Sequence, residues 1–404
     1  MTVVSLGLDA GTASIATREA FLIAPTILAA RLAGDPALAG EPFLLSTCNR
    51  IEVYASAARC PDAALDAIAR AWAGDRDRLA WLEREARRRV GLTAARHLVR
   101  VAVGLESQVI GDRQVAGQLR RAYAATGAGR AKGELARLIE TALQAGRRGG
   151  RRGGGARTVG ARAVDDAVTR LGGAAPWLVV GAGRVAGDVV RRLARRRLGP
   201  VTIANRSPDR AERLAQLVGA DVVSLAALPA HAAASRVMVL AAEAGRPLLT
   251  APPLAAARAT ADRAGRPLLI IDLAIPRAAD PSVARLSGVE LLTLDDLAAR
   301  PTDEPDPSAL ASAERIVDGA VERFAAWLEL DAARHAVEPL RVALAEICGR
   351  ELAHAAPELA SRRLLARISG KLMAGPMRAL EKRIGDGRSV APVTDAIREL
   401  FPQA

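Results

Sequence analysis

The sequence predicts a multidomain α/β protein: an N-terminal α/β domain, a middle domain built on a parallel sheet, and a helical C-terminal domain that follows a long connecting helix. Three observations support this prediction. Short apolar strands alternate with helical segments over the first hundred residues. A continuous apolar strand near residue 178 runs directly into a glycine-rich turn and a helix. From residue 308 onward, apolar residues recur at helical spacing. We place the domains at residues 1–145, 161–301 and 302–404, with a Gly/Arg-rich linker at 146–160.

The chain carries a net charge of +13, from 57 Lys and Arg against 44 Asp and Glu. Such an excess favours a polyanionic partner such as nucleic acid. Nearly all of the positive charge is arginine in an alanine-rich chain, however, and this compositional bias weakens the inference. Aromatic residues make up 2% of the chain, which argues against a surface that stacks unpaired bases. Any contact with nucleic acid is therefore expected to be mostly with phosphate.

Three cysteines, Cys48, Cys60 and Cys348, are too few and too scattered for a disulfide scaffold or a zinc site, so we expect no metal. The N terminus has no basic segment of the kind that opens a signal peptide, and no apolar run is long enough to cross a membrane. We therefore expect a cytoplasmic protein without membrane contact, in which a thiol stays reduced.

One short polar segment, Ser46–Arg50, lies between two apolar runs of the N-terminal domain. The pattern predicts two short strands joined by a loop, an arrangement by which a rigid scaffold presents a reactive side chain. Cys48 is at the loop tip, and the guanidinium of Arg50 favours the reactive thiolate. A buried structural cysteine fits these local features equally well. Other predicted elements are a strand at 3–8 and helices at 16–32 and 62–72.

A second segment, residues 96–114, contains a histidine and several polar side chains. His97 begins a predicted apolar helix, and Gln114 and Gln118 lie one helical turn apart on one face. A histidine on such a helix is more often a core residue than a catalyst. With a candidate thiolate elsewhere in the chain, His97 becomes the natural group to polarise it or to protonate a leaving group.

Residues 146–160 consist largely of glycine and arginine. Because regular elements rarely tolerate so much glycine, the composition predicts a flexible linker at a domain boundary. RGG-like segments bind RNA in other proteins. We favour the simpler interpretation, a solvated loop in an arginine-biased chain.

The apolar strand at 177–180 runs into Gly181-Ala182-Gly183-Arg184-Val185-Ala186, and a helix follows at 188–195. This is the Rossmann fingerprint for a dinucleotide, in its strand–turn–helix context. The first glycine makes the tight turn, the second admits the pyrophosphate, and Ala186 takes the close-packing third position. The start of the helix supplies amide donors. We assign these six residues to cofactor binding.

The next predicted strand, 201–204, ends in Asn205-Arg206-Ser207 and not in an acidic residue. A carboxylate at this point would bind the ribose 2′-hydroxyl of NAD and repel a phosphate, whereas these three residues offer donors and a cation to one. The predicted cofactor is therefore NADPH. Further strands, separated by helical segments as a doubly wound parallel sheet requires, are predicted at 222–223, 237–242, 268–273 and 290–293.

A Pro- and Asp-rich break at 301–307 ends this domain, and a long helix is predicted at 308–330. The rest of the chain is predicted to be helical, with interruptions at Pro357, Pro376 and Pro392. Because such a tail cannot bury much core alone, we expect it to form a homodimer.

Taken together, these segments resemble the glutamyl-tRNA reductase family over nearly the whole chain. The Ser46–Arg50 loop with Glu52 and Tyr54 is similar to the family's STCNRxExY segment, and residues 97–107 are similar to HLFRVASGLDS. Three further segments are similar to GEPQILGQ, DLAVPRDIDP and KLLHxP: residues 111–118, 272–281 and 371–376.

The resemblance implies NADPH-dependent reduction of glutamyl-tRNA(Glu) to glutamate-1-semialdehyde with release of the tRNA, the first step of the five-carbon route to 5-aminolevulinate, porphyrins and other tetrapyrroles. It implies that Cys48 attacks the aminoacyl ester and forms a thioester, which accepts hydride more readily. His97 would assist proton transfer, and Arg50 would pair with the side-chain carboxylate of the substrate. Glutamate-1-semialdehyde aminomutase is a candidate partner. The resemblance assigns the remaining substrate contacts to Thr47, Asn49, Ser107, Asp112, Arg113, Gln114 and Gln118.

The chain departs from the family pattern in three places. Ala10 falls in a segment where GINHKTAP is expected, Asp112-Arg113 replaces Glu-Pro, and the linker lacks an acidic RTET-like sequence. Two alternatives stay open. A diverged, non-catalytic paralogue would bind tRNA or a pathway partner without reducing anything. A reductase similar to the shikimate dehydrogenases would be expected to use a Lys–Asp pair in its first domain, but no lysine precedes Lys132.

Overall fold

The computed structural model describes residues 2–107, 114–125, 133–152, 158–172, 175–262, 266–300, 307–355, 362–386 and 388–400. The chain divides into two compact units, Met1–Asp318 and Gly319–Ala404. The first unit contains an antiparallel sheet and a parallel sheet, and the second is helical. This agrees with the predicted multidomain α/β architecture.

An antiparallel sheet of four strands, in the order β2–β3–β1–β4, forms the centre of the N-terminal domain. Its strands are β1 (Thr2–Asp9), β2 (Phe43–Ser46), β3 (Arg50–Ala57) and β4 (Arg87–Val90). The apolar runs on either side of the cysteine loop become β2 and β3, as predicted. The prediction misses β4, because this edge strand carries three arginines and a single apolar residue.

The described residues of this domain form seven helices: α1 (Ile15–Ala20), α2 (Pro25–Leu32), α3 (Pro61–Ala73), α4 (Arg76–Glu85), α5 (Leu92–Val103), α6 (Gln114–Ala125) and α7 (Gly133–Arg152). The single helix expected at 16–32 is two helices. Proline has no backbone N–H, and Pro25 therefore opens a new helix. The helix around His97 begins at Leu92, five residues earlier than predicted, so the histidine lies in its middle.

The predicted flexible linker at 146–160 is wrong over its first half, because α7 continues to Arg152. A Cβ at Gly146 would lie 2.7 Å from the carbonyl oxygen of Ala102, and one at Gly149 would lie 3.0 Å from Cγ1 of Val103. The glycines therefore permit close packing of α7 on α5, which offsets the roughly 1 kcal/mol that each glycine costs a helix. Residues 153–157 lie outside the described residues, and the next helix begins at Val159.

Six parallel strands form the sheet of the middle domain, in the order β10–β9–β8–β5–β6–β7. They are β5 (Trp177–Val180), β6 (Val201–Ala204), β7 (Asp221–Val223), β8 (Val237–Leu240), β9 (Leu268–Asp272) and β10 (Val289–Leu292). The strand order reverses between β5 and β8, which is the point where doubly wound sheets bind nucleotides.

Helices flank both faces of this sheet, as parallel strands require. They are α8 (Val159–Leu171), α9 (Arg184–Arg196), α10 (Pro208–Ala215), α11 (Leu228–Ala234), α12 (Ala251–Thr260) and α13 (Leu294–Ala298). Alternate strand residues enter two separate cores. Trp177 and Val179 of β5 belong to one core, and Leu178 and Val180 belong to the other.

Where the structure describes the C-terminal part, it forms three helices: α14 (Pro307–Ala355), α15 (Arg362–Gly385) and α16 (Ala391–Leu400). The long helix therefore extends 25 residues beyond the predicted end at Leu330. The interruption expected at Pro376 is wrong, because buried Met373 and Leu380 anchor α15 on both sides of the proline. Pro392 lies in the first turn of α16, where proline is tolerated, and Pro357 lies outside the described residues. None of the helices in the described ranges combines the length and apolarity needed to cross a membrane.

Candidate active site

The loop that carries Cys48 is a tight hairpin between β2 and β3. The backbone N–H of Thr47 donates to the carbonyl oxygen of Arg50 at 2.9 Å. The Thr47 hydroxyl accepts from the backbone N–H groups of Asn49 and Arg50 at 3.2 and 3.3 Å. Thr47 therefore shapes the loop that presents the thiol.

Cys48 is half-buried and is not part of a disulfide. It packs against the apolar core on one face of the parallel sheet, which includes residues of β5, β6, β8 and β9. The thiol of the N-terminal domain is thus placed next to the nucleotide-binding fold. This position fits a reacting group better than the alternative of a fully buried structural cysteine.

Three polar residues alternate along β3 and share one face of the strand. Arg50, Glu52 and Tyr54 are 3%, 1% and 0% exposed. The Glu52 carboxylate is central, because Arg50 donates to it at 3.0 Å and the Tyr54 hydroxyl donates at 2.6 Å. A buried carboxylate is stable only with such partners.

His97 joins this network from α5. Its Nε2 atom lies 2.7 Å from Oε1 of Glu52, and the side chain is almost fully buried. Gly7 of β1 provides the room, since it pairs with Glu52 across the sheet and a Cβ there would lie 2.8 Å from Glu52 Cγ. His97 is therefore buried, as a core residue would be. It is also oriented by a carboxylate, as a group for proton transfer would be.

The network fixes the charge of Glu52, Tyr54 and Arg50. Burial raises the pKa of Glu52, but the charge and hydrogen bond of His97, with the contacts of Arg50 and Tyr54, bring that pKa down to about 2. Burial and the neighbouring Glu52 raise the pKa of Tyr54 well above its ordinary value. Burial alone would lower the pKa of Arg50, and the charge of Glu52 more than compensates. At neutral pH the centre is a carboxylate held by an arginine and a neutral tyrosine.

A turn at residues 104–107 supports the loop from the side. The carbonyl oxygen of Glu106 accepts from Asn49 Nδ2 at 3.2 Å and from the Arg50 guanidinium. Ser107 is the next residue, so the structure brings it beside the cysteine loop. Ala10 also contacts the loop, and its backbone N–H donates to the carbonyl oxygen of Asn49 at 3.1 Å. That contact is independent of the side chain at position 10, where the chain departs from the family pattern.

The remaining predicted substrate residues are placed less completely. Gln118 is half-buried on α6, a helix that packs against β2. Gln114 is the first residue of the same helix, and its side chain is not among those described. Asp112 and Arg113 lie outside the described residues.

The glycine-rich turn has the geometry of a dinucleotide site. Gly181 has a φ of +113°, and a Cβ there would lie 2.6 Å from the carbonyl oxygen of Ala241. A Cβ at Gly183 would meet no heavy atom within 4 Å. Gly183 is also the N-cap residue of α9, and it has no side chain to accept from the first amides of the helix. Ala186 is fully buried and Val185 is partly buried, both in the sheet core, and Ala182 is half-buried within the turn. The uncapped amides and the open space fit a pyrophosphate.

A cavity of about 280 Å³ adjoins the end of β6. Asn205 and Arg206 contribute to its lining, together with the loop that follows β8, in which Arg246 adds a second guanidinium. Ser207 is the residue before α10, and its carbonyl oxygen accepts from Asn205 Nδ2 at 2.9 Å. The donor set fits the adenosine end of a dinucleotide, with cations for a phosphate.

Arg184, predicted to bind the cofactor, extends from the start of α9 towards α6, where a Cβ at Gly117 would lie 2.7 Å from its Nη1 atom. Helix α1 of the N-terminal domain also contacts the parallel-sheet domain. Glu19 accepts from the guanidinium of Arg277 at 2.6 to 3.0 Å through both of its oxygens. Asp295 accepts from the backbone N–H of Ile15 at 2.6 Å and from Arg18 at 2.7 Å. These contacts join the thiol and the nucleotide fold within one unit.

Three groups at the candidate site cannot be identified individually from the sequence: Glu52, the carbonyl oxygen of Glu106, and Arg246. The i, i+2, i+4 spacing of Arg50, Glu52 and Tyr54 is the one signal that places Glu52 beside Arg50. The Glu106 contact is made by the backbone, which leaves no mark in the sequence. Arg246 is one arginine among many, in a loop far along the chain. Across the described residues, no group of three or more His, Cys, Asp or Glu side chains is arranged to hold a metal ion.

The chain matches three family models. Residues 6–151 match the N-terminal domain of glutamyl-tRNA(Glu) reductase, and residues 312–403 match the dimerisation domain of the same enzyme. Residues 168–299 match the shikimate/quinate 5-dehydrogenase model. Together with the glycine-rich turn, this match indicates a nicotinamide cofactor.

Similar proteins cover nearly the whole chain. The glutamyl-tRNA reductase of Salinispora tropica is 33% identical over 99% of this chain and 92% of that protein. The glutamyl-tRNA reductase of Rubrobacter xylanophilus is 34% identical, over 86% of this chain and 84% of that protein. Among solved structures, the glutamyl-tRNA reductase of Methanopyrus kandleri is 29% identical, with a TM-score of 0.47 over 95% of this chain and 98% of that one. The identities to the Salinispora tropica and Rubrobacter xylanophilus proteins, over at least 84% of each chain, show that the chain belongs to the glutamyl-tRNA reductase family.

Proposed function

We propose that the protein reduces glutamyl-tRNA(Glu) to glutamate-1-semialdehyde with NADPH, through a thioester on Cys48, as the first step of the five-carbon route to tetrapyrroles. The observation that carries this proposal is the position of Cys48. Its half-buried thiol packs against the core of the nucleotide-binding fold, and it lies two residues from Arg50 of the buried ionic network. An acyl group on that sulfur would lie within the same unit as the cofactor fold.

In the first step the Cys48 thiolate attacks the ester carbonyl. A C–S bond forms, the C–O bond to the terminal ribose breaks, and the tRNA hydroxyl leaves with a proton. His97 is the candidate for moving that proton. Because its Nε2 atom is held by Glu52, the Nδ1 atom is the nitrogen left for the reaction.

In the second step the thioester carbon is reduced. NADPH supplies the hydride when it is bound, and breakage of the C–S bond then gives the aldehyde and regenerates the thiolate. The protein contributes a fixed sulfur, and the packing of Cys48 against the sheet core keeps water away from one side of it.

Substrate recognition is assigned to the groups around the loop. Two recorded hydrogen bonds use two of the five N–H groups of Arg50, and we assign others to the side-chain carboxylate of the glutamyl group. Among the described side chains, Asn49 offers a buried Oδ1 atom with no hydrogen-bond partner. This acceptor suits the α-ammonium group of the substrate. The assignments made from the family pattern extend the site to Thr47, Ser107, Asp112, Arg113, Gln114 and Gln118.

The preference for NADPH over NADH is assigned to the cavity at the end of β6. Arg206 and Arg246 both line it, and two guanidinium groups favour the 2′-phosphate. Glu243 lines the same cavity and is a candidate acceptor for the ribose or the base.

The match to a dimerisation domain supports a homodimer formed through the C-terminal helices. Because the aldehyde product is reactive, glutamate-1-semialdehyde aminomutase is the partner we propose for receiving it. The cytoplasm is the proposed location, where a reduced thiol is maintained.

The test is mass spectrometry of the intact protein after mixing with glutamyl-tRNA, without NADPH and with an acid quench. We expect one added glutamyl mass, absent in Cys48→Ser and retained in Cys60→Ser, which changes an exposed cysteine outside the site. If the protein gives neither an adduct nor, on adding NADPH, any semialdehyde, it is the non-catalytic paralogue. Turnover that persists in Cys48→Ser would refute the thioester route.

A further inference from the structure

The N-terminal part of the long helix α14 contacts α5, the helix that leads into the turn supporting the cysteine loop. The guanidinium of Arg100, on α5, is shared between two carboxylates. Its Nε atom donates to Oε1 of Glu106 at 2.5 Å, and Nη1 donates to Oε1 of Glu314 on α14. All three side chains are about 30% exposed, so this is a cluster at the surface beside the buried network.

Glu106 links this cluster to the nucleophile. Its side chain is held by Arg100, and its carbonyl oxygen accepts from the side chains of Asn49 and Arg50. These are the two residues that follow Cys48. The position of the Glu106 backbone therefore affects the orientation of both side chains that are assigned to the substrate.

We propose that Glu314 is a positioning residue for acylation of Cys48, which acts through Arg100 and Glu106 on the side chains of Asn49 and Arg50. The inference rests on the proposed function. Glu314 touches no reacting atom. Its carboxylate holds the Arg100 guanidinium in the one orientation that also engages Glu106.

Without the Glu314 charge, Arg100 keeps a single carboxylate partner and gains rotational freedom. Glu106 is then held less firmly, and the Asn49 amide with its free Oδ1 acceptor samples more orientations. We expect a lower acylation rate constant at saturating glutamyl-tRNA, with the affinity for NADPH unchanged, because the cofactor cavity is formed by other elements.

The chain offers a matched control. Asp318 lies one helical turn further along α14 and accepts from Arg96 at 2.7 Å, one turn from Arg100 on α5. Asp318→Asn therefore removes the same charge from the same helix, while Arg96 keeps a second carboxylate, since its guanidinium also lies 3.6 Å from Glu314. It leaves the link from Arg100 to Glu106 intact.

The experiment measures single-turnover acylation by intact-mass spectrometry in the full-length protein, without NADPH, for wild type, Glu314→Gln and Asp318→Asn. We expect Glu314→Gln to acylate roughly fivefold more slowly, the effect of a partly exposed charged contact, and Asp318→Asn to differ from wild type by less than about twofold. The apparent melting temperatures of both variants should agree with wild type, which separates positioning from folding.

A double-mutant cycle adds a second criterion. If Glu314 and Glu106 act through the same guanidinium, the Glu106→Gln and Glu314→Gln effects are not additive, and the double variant is hardly slower than the slower single variant. Additive effects, equal slowing by Glu314→Gln and Asp318→Asn, or no slowing by Glu314→Gln would each overturn the inference while leaving the proposed function intact. A wild-type protein that forms no adduct and no semialdehyde would overturn both.

Discussion

Gly7 of β1 lies directly opposite Glu52 of β3, and a Cβ at position 7 would lie 2.8 Å from the Cγ atom of Glu52. The backbone of Gly7 is ordinary strand, so the requirement for glycine comes from the neighbouring carboxylate and not from φ. A glycine on one strand thus makes room for the buried acid that orients His97.

Gly7→Ala is expected to displace Glu52 and with it the contacts to Arg50 and His97. Overpacking of this kind costs about 1–3 kcal/mol. We expect a lower apparent melting temperature and slower acylation of Cys48, measured by thermal unfolding and intact-mass kinetics. Gly385→Ala is the control, because a Cβ there meets nothing within 4 Å. Normal acylation by Gly7→Ala would mean that the position of the Glu52 carboxylate does not matter to the reaction.

The two glycines of the dinucleotide turn should respond differently to the same substitution. Gly181→Ala places a Cβ 2.6 Å from the carbonyl oxygen of Ala241 at a φ of +113°, so we expect poor folding. Gly183→Ala meets no protein atom within 4 Å, and the protein should fold normally but bind NADPH roughly tenfold or more weakly, because the methyl group occupies space for the pyrophosphate. Thermal unfolding and fluorescence titration with NADPH separate the two effects. Unchanged NADPH affinity in Gly183→Ala would place the pyrophosphate elsewhere.

Arg206→Ala should weaken NADPH much more than NADH. Loss of a charge-assisted contact to the 2′-phosphate is expected to reduce NADPH affinity roughly tenfold to a hundredfold. Arg246→Ala should act in the same direction, since it lines the same cavity. Arg236→Ala is the control. It removes the same charge from the residue just before β8, at the opposite end of the strands from the cavity. Equal losses for the two cofactors in Arg206→Ala would contradict the assignment of the 2′-phosphate to this cavity.

The pKa of Glu52 predicts a stability loss in acid. Its folded-state pKa is about 2, against an ordinary value of 4.5, so the ionised carboxylate stabilises the fold above pH 4.5. This contribution, on the order of 3 kcal/mol, is lost as the pH falls from 4.5 towards 2. Glu52→Gln should flatten the acid limb of a plot of melting temperature against pH.

Asp272 is the internal comparison for that experiment, because its sign is opposite. Burial raises its pKa from 3.8 to about 6, in spite of hydrogen bonds from the backbone of residues 274, 278 and 279. Ionisation of Asp272 therefore disfavours the fold above about pH 6, and this penalty disappears below 3.8. The wild-type protein should therefore gain a little stability as the pH falls from 7 to 5, and Asp272→Asn should lack this gain. An acid limb that Glu52→Gln leaves unchanged would show that other groups govern acid unfolding.

The sequence predicts those elements whose residues carry a local signal. Strands β5 and β6 have the predicted bounds, because buried parallel strands are continuous apolar runs. The turn at Gly181 follows from a single steric requirement and is equally predictable. Edge strand β4 carries no such signal, because its strand conformation comes from pairing with β1 and not from its own composition.

The candidate nucleophile of the site is predictable from the sequence, and the groups that support it are less so. Cys48 is marked by polar neighbours between two strands. Glu106 contributes a carbonyl oxygen, and any residue type would supply that atom. Arg246 and Arg206 lie 40 residues apart, and they share a cavity because β6 and β8 lie on either side of β5. Such long-range placement depends on the packed fold.

The glycines of α7 have a consequence for mutational tolerance. Low sequence complexity at 146–152 suggests a flexible segment, yet Gly146 and Gly149 set how closely α7 approaches α5 at Ala102 and Val103. In a saturation scan scored by growth without added pathway product, both positions should disfavour even alanine, Gly146 more strongly, while the arginines between them accept many replacements. The most repetitive stretch of the chain would then be among its most constrained.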